Sequence, residues 1–172
     1  VALGQLDAAV INKPRRALTL KSETIADEDL LLVMGPAHAD VPASLSFSGM
    51  SALKLVFPTR RHGLRGIIEN FAEAEDVHLS PSLEIDSISA ILKLVRESDF
   101  CTLLPHVAVR GLLERAEVKV HRFVSPRLRR TIVAVTDPSR PLNPAAAAFL
   151  SALRRHLAGL GSVPPYGGDG LS

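Results

Sequence analysis

The residues of this chain best able to do chemistry crowd into one short stretch, where Thr59, Arg60, Arg61, His62 and Gly63 follow Pro58 and lead to Leu64 and Arg65. Hydroxyl and guanidinium groups at that density suit an acidic ligand, because an arginine holds a carboxylate through two parallel hydrogen bonds. The same charges also describe a solvated basic turn or a contact for an acidic neighbour. The setting adds weight to the ligand reading. Leu53, Leu55, Val56 and Phe57 form a short apolar strand that Pro58 stops, and Leu64, Ile67, Ile68 and Phe71 then recur at helical spacing. A loop at the carboxyl end of such a strand is where open α/β sheets bind small molecules, and the free N–H groups of the following helix favour an anion.

Other chemistry finds little support. His38, His62, His78, His106, His121 and His156 fall at no metal-ligand spacing, so no metal and no cofactor is expected. The chain has no Gly-rich phosphate loop and no Gly-x-Ser-x-Gly elbow. Cys101, the single cysteine, sits in the apolar run Phe100–Leu104 and reads as a buried small hydrophobe. Pairing it with His106 is the best enzymatic option, but nothing in the sequence would activate the thiol. Arg127, Arg129 and Arg130, and Arg154 with Arg155, read as wet faces.

Composition sets the class. At 172 residues and 47% apolar, the chain suits one compact domain or two small lobes. A net charge of +2 and the absence of Trp give no case for nucleic acid or membrane. One cysteine excludes an internal disulfide and fits a cytoplasmic location; no apolar run is long enough for a membrane helix, and no signal peptide opens the chain. The first residue is Val1 rather than Met, which reads as a fragment or trimmed start.

The elements that must position the loop follow in order. Leu6 to Ile11, entered through Gly4 and Asp7, is read as a strand buried on both faces, as in a parallel sheet. Leu18 to Ile25 alternates, and Leu30 to Met34 is a second apolar strand ended by Gly35 and Pro36. Leu45 to Met50 is turn-like. Val77 to Ile85 is read as a strand leading to Asp86 or Ser87 as a helix cap, with Ile88, Ile91, Leu92 and Val95 as that helix's buried face. Phe100 to Leu104 is a buried strand, Val107 to Glu114 a short helix, Val118 to Phe123 a half-wet strand and Arg129 to Val135 a longer one. Asn143 caps, and Pro144 starts, a last helix that buries Phe149, Leu150, Leu153 and Leu157 and ends at Gly159.

Strands alternating with helices argue for parallel α/β units. Breaks near Pro36–Pro42 and Asp137 predict two lobes joined by two crossing strands: residues 1–40 with 134–161, and 41–133, followed by a loose tail at 162–172. Two lobes with a double hinge describe a ligand clamp.

The ordered set Gly4-Gln5-Leu6-Asp7-Ala8-Ala9-Val10, Glu28 to His38, Pro58 to Arg65, Glu84-Ile85-Asp86-Ser87, Leu103-Leu104-Pro105 and Arg140 to Ala146 resembles the effector-binding domain of LysR-type transcriptional regulators. The run Pro58 to Arg65 looks most like the branch that includes nitrogen-assimilation control proteins. The resemblance covers nearly all of residues 3–158. It implies an α/β, two-lobed fold like the type 2 periplasmic binding proteins, with a small effector in the cleft between lobes. Position by position, Thr59, Arg60, Arg61, His62, Gly63, Leu64 and Arg65 match the family's main effector loop. Val10 and Asn12 match the end of a cleft strand, Ile25 another cleft position, and Ser87 and Thr131 contacts from the second lobe and the crossover; Thr102 lies beside them. One departure is Ser98-Asp99-Phe100, where the family carries Gly-x-Gly, so Phe100 puts bulk where the backbone is normally bare. Another is that the opening strand and helix of the first lobe and the winged helix-turn-helix are not in this sequence. The first lobe is therefore expected to be incomplete, exposing apolar surface, and DNA contact to lie outside the chain.

The leading expectation is an effector-sensing, dimerising module of such a regulator, not an enzyme, binding a carboxylate or other small anion and assembling as a homodimer or homotetramer. A transporter's solute-binding protein, or a small α/β enzyme using Cys101, are the alternatives.

Overall fold

The structure, a computed structural model, describes residues 6–16 and 19–160, with side chains as far as Leu157. Gly4, Leu18 and the expected tail at 162–172 lie outside the described residues. The chain divides into two compact units. The first holds residues up to Glu28 together with those from Arg129 through the last helix, and the second runs from Asp29 to Leu128. Both divisions fall earlier in the chain than Pro36–Pro42 and Asp137, where the turn-forming residues had suggested them.

In the first unit, strand β1 (Ala8–Asn12) pairs antiparallel with β7 (Arg129–Thr136), with Ala8 opposite Thr136 and Asn12 opposite Ile132. On its other side β7 neighbours β2 (Lys21–Met34), whose opening half belongs to this unit. Helix α4 (Pro144–Leu160) follows a loop after β7. It begins as expected: the Ala145 N–H donates to Asn143 Oδ1 at 2.8 Å, and Pro144 needs no donor of its own. Two expectations fail here. β1 is neither parallel nor buried on both faces, since Val10 and Ile11 are 40% and 38% exposed at the sheet edge. An edge strand keeps one row of backbone groups unpaired, so a continuous apolar run does not ensure burial. On α4, Leu150 is buried while Phe149 is 59% exposed, because consecutive helical residues point about 100° apart and only one can face the sheet. The helix also runs through Gly159 to Leu160 rather than ending at the glycine.

In the second unit the closing half of β2, Leu30 to Met34, is entirely buried and pairs antiparallel with β5 (Cys101–Pro105) and β6 (Lys119–His121). The later part of the expected Leu18–Ile25 strand and the apolar run from Leu30 are thus one strand of 14 residues, Lys21–Met34, where two were expected. Short β3 (Val56–Phe57) pairs in parallel with β4 (Leu83–Glu84), and Leu55 bridges to Cys101 in parallel. The sheet is therefore mixed, and the long strand expected over Val77–Ile85 reduces to two residues.

Helices α1 (Gly63–Ala74), α2 (Ile88–Glu97) and α3 (His106–Glu114) cover this sheet. Leu64, Ile68 and Ala72 recur every four residues on the buried stripe of α1, and Ile91 and Val95 on that of α2. Each fully buried Leu or Ile contributes about 1.5–3 kcal/mol. Phe47, Phe57 and Phe123 close the core, with Phe47 edge-on to Phe123 at 5.9 Å between centroids. Phe100 is accommodated in the same core, with the Lys54 ammonium 4.7 Å above its ring and bonded to Asp99 at 3.1 Å.

Gly35 ends β2 directly against the last turn of α2. A Cβ there would sit 2.3 Å from the Val95 carbonyl oxygen and 3.2 Å from that of Arg96, both backbone atoms that cannot swing aside. Gly35→Ala should therefore destabilise the protein by about 1–3 kcal/mol, read as a lower urea midpoint with an unchanged slope.

Candidate functional site

The loop that carries the candidate side chains is built around Arg65. Its side chain is 5% exposed, and three acceptors surround it: Nη1 donates to the Pro58 carbonyl at 3.1 Å and to Glu84 Oε1 at 2.8 Å, and Nε to Glu69 Oε1 at 3.0 Å. The guanidinium also lies 5.6 Å from the Phe57 ring centroid. A buried charge is tolerated only when paired and hydrogen-bonded, and here every partner belongs to the protein. Arg65 is thus committed to holding the end of β3, the first turns of α1 and β4 together. Leu64 likewise turns into the core, leaving its N–H to donate to His62 Nδ1 at 3.2 Å, which makes His62 the cap of α1.

The remaining residues of the loop lie at the surface of the second unit. Arg60 is 79% exposed and reaches Glu69 at 3.2 Å. Arg61 and Gly63 are exposed, and Arg61 has no partner among the described residues. Thr59 donates both its N–H, at 3.2 Å, and its hydroxyl, at 2.5 Å, to Asp86 Oδ1. Next to Asp86, Ser87 caps α2 by accepting the Ala90 N–H at 3.3 Å and shares a hydrogen bond with the Ser89 hydroxyl at 2.9 Å. The Thr59–Asp86 bond therefore ties the loop before α1 to the start of α2, so Thr59 and Ser87 belong to one polar patch, and Arg60, Arg61 and His62 adjoin Thr59 in the chain.

Thr102 is fully buried on β5, and its hydroxyl has no hydrogen-bond partner. In the first unit, Val10 and Asn12 lie on β1, Ile25 is half-buried on β2, and the Thr131 hydroxyl donates to Asp27 Oδ1 at 2.6 Å.

The partners of this loop were only partly visible in the sequence. Glu69 lies four residues beyond Arg65, at the spacing of a helical ion pair, and could have been anticipated. Glu84 reaches Arg65 only because β4 pairs with β3, which no local pattern announces. Either Asp86 or Ser87 reads as the helix cap in the sequence; in the structure Ser87 takes that role and Asp86 serves the neighbouring loop.

Cys101 is placed for packing rather than for attack on a substrate, because no solvent reaches it. It is fully buried, and its Sγ lies 3.3 Å from His38 Nε2 rather than beside His106. Among the described residues, no three His, Cys, Asp or Glu side chains converge as metal ligands, and no helix is long and apolar enough to cross a membrane.

A strand-and-helix architecture with a basic loop at a strand end and two adjoining helix starts places the chain among α/β domains. The family model described as the LysR substrate binding domain matches residues 1–158, and the chain belongs to that family. It is a LysR substrate-binding domain. Solved structures agree in fold. The probable transcriptional regulator PA0477 from Pseudomonas aeruginosa superposes with a TM-score of 0.71 at 17% identity, over 88% of this chain and 50% of that one. The effector binding domain of QuiR in complex with shikimate gives 0.72 at 16%, over 92% and 75%, and the reduced form of OxyR gives 0.74 at 23%, over 94% and 76%. The chain thus spans half the length of the PA0477 regulator.

Burial pushes the Cys101 thiol up from its ordinary 9.0 to about 11, with the Asp99 carboxylate adding to the rise. The native state then holds this proton more tightly than the unfolded chain does. The thiol's contribution to stability is complete below about pH 9 and falls as pH rises towards about 11, by at most about 1.4 kcal/mol per pH unit. Urea midpoints measured across that alkaline range should show the fall, and Cys101→Ala should remove that part of it.

Proposed function

We propose that this chain senses a small anion, most naturally a carboxylate, and that the polar patch formed by Thr59, Arg60, Arg61, His62, Gly63 and Ser87 in the second unit supplies its binding contacts. The observation that carries this reading is the division of labour in the loop. Arg65 absorbs the structural demand, while the adjoining Arg61 keeps an exposed guanidinium with no partner among the described residues. A cation spared in this way, on a loop fixed at both ends, is prepared to meet a ligand without a large ordering cost. QuiR's complex with shikimate, a hydroxylated acid, supports the same ligand class by analogy. On the family resemblance alone, Val10, Asn12, Ile25 and Thr131 are the first unit's effector-contacting positions, and Leu64, Arg65 and Thr102 contribute from beneath the surface of the second. The kinship with nitrogen-assimilation control proteins rests on the Pro58–Arg65 run.

In the whole regulator, a winged helix-turn-helix outside this chain contacts DNA, and the protein works in the cytoplasm as a homodimer or homotetramer. The exposed Leu6, Val10 and Phe149 of the first unit supply apolar surface for such association.

A thermal-shift screen of small carboxylates, shikimate among them, tests the binding reading. A ligand that raises the melting temperature should lose most of its effect in Arg61→Ala and in Thr59→Ala. The unliganded Arg61→Ala protein should melt within about 2 °C of the parent, as surface substitutions do. Undiminished ligand shifts in both variants would remove the loop from the site.

A further inference from the structure

We propose that the first unit carries a second small-molecule site of its own, a cavity for a carboxylic acid with an apolar body. The cavity has a volume of 370 Å³ and lies among the start of β2, the end of β7, the loop after it and α4. That size falls within the usual range of ligand pockets, roughly 300–1,000 Å³. Its walls are of two kinds. Ala134, Leu142 and Leu150 supply apolar surface, while Lys21, Arg140 and Arg154 supply positive charge.

The charge balance is what points to an acid. Two carboxylates also line the cavity, but both are occupied. Glu23 accepts from Arg154 Nη2 at 2.6 Å, and Asp137 Oδ1 accepts the Ser139 N–H at 2.9 Å and the Ser139 hydroxyl at 2.6 Å. On the basic side two donors remain. Arg154 Nε is buried with no hydrogen-bond partner, and the Lys21 ammonium has none among the described residues. Arg154 Nε is closed off from the cavity, so an entering carboxylate would meet the Lys21 ammonium and the outer nitrogens of Arg154. Leu150 and Arg154 stand one helical turn apart on α4, so apolar and cationic groups face the cavity from the same stripe. A bare inorganic anion would leave Ala134, Leu142 and Leu150 without contact, whereas an acid with a hydrocarbon body meets both kinds of wall. Every group involved belongs to the first unit, and the loop at Thr59–Arg65 belongs to the second.

Phenylacetate is a suitable probe, with phenylacetamide as its uncharged counterpart, titrated into the protein by calorimetry and followed by backbone amide shifts. The expected result is saturable binding to the acid at concentrations below about 10 mM, at least about tenfold weaker for the amide. Lys21→Gln and Arg154→Gln should each weaken the acid by about tenfold while melting cooperatively, and the shifted amides should cluster at Lys21, Ala134 and Leu142–Arg154. Equal affinity for acid and amide, unchanged affinity in both variants, no binding in that range, or shifts confined to Thr59–Arg65 would each overturn the second site. The last of these outcomes would leave the loop reading intact.

Discussion

The second unit depends on how it accommodates one buried cation. Placing a guanidinium under a loop is expensive unless its donors are answered, and the Pro58 carbonyl, Glu69 and Glu84 answer those of Arg65 from three different elements. The arrangement works as a clamp. The carbonyl comes from the residue that ends β3, Glu69 from the next turn of α1, and Glu84 from the strand beside β3, so the chain between Pro58 and Gly63 has both ends fixed. The loop is held by an ion cluster because it has little else: the surface positions Arg60, Arg61 and Gly63 bury nothing. The same cluster leaves its carboxylates at the surface, where Glu69 also meets Arg60 and tempers its charge.

A comparable matching of charge explains the long strand. Asp27, Glu28 and Asp29 form an acidic run in the middle of β2, which by composition should interrupt a strand. Each is answered. Thr131 and Arg130 of the first unit bind Asp27 and Glu28, while in the second unit Arg127 holds the buried Asp29 with two bonds of 2.9 and 3.0 Å. These partners lie about a hundred positions away in the sequence. No window of neighbouring residues contains them, so the run reads as a break between two strands, and only the pairing of distant segments makes it one.

That contrast marks what the sequence disclosed and what it withheld. Helices α1 and α2 were legible because their burial follows from local spacing: Leu64 with Ile68, and Ile91 with Val95, repeat every four residues whatever surrounds them. The caps at Ser87 and Asn143 are local in the same sense. The loop's chemistry was legible as composition but not as allocation, since nothing in Arg60, Arg61 and Arg65 tells which guanidinium is spent on the fold. Exposure on β1 and at Phe149 was illegible for a different reason. Burial there depends on which elements lie alongside, and an edge strand and a central one are written in the same apolar residues. The cavity of the first unit escaped notice because Lys21, Ala134 and Arg154 share no motif and meet only through the sheet.

The position of Asp86 bears on what the loop can recognise. Its carboxylate already takes the Thr59 N–H and hydroxyl, so negative charge stands in the patch before any ligand arrives. An anion bound through the Thr59 donors would have to displace it and would meet its repulsion, whereas one bound through Arg61 need not. On the reading that this patch binds an effector, the favourable arrangement places an acid group towards the spared guanidinium and a hydrogen-bond donor towards Asp86. A molecule with a carboxylate at one end and hydroxyl groups along its body satisfies both, and a plain fatty or aromatic acid satisfies only the first. Selectivity of this kind needs no additional pocket wall, because Thr59 occupies only Oδ1 of the exposed Asp86 and its second carboxylate oxygen can accept from a ligand that donates.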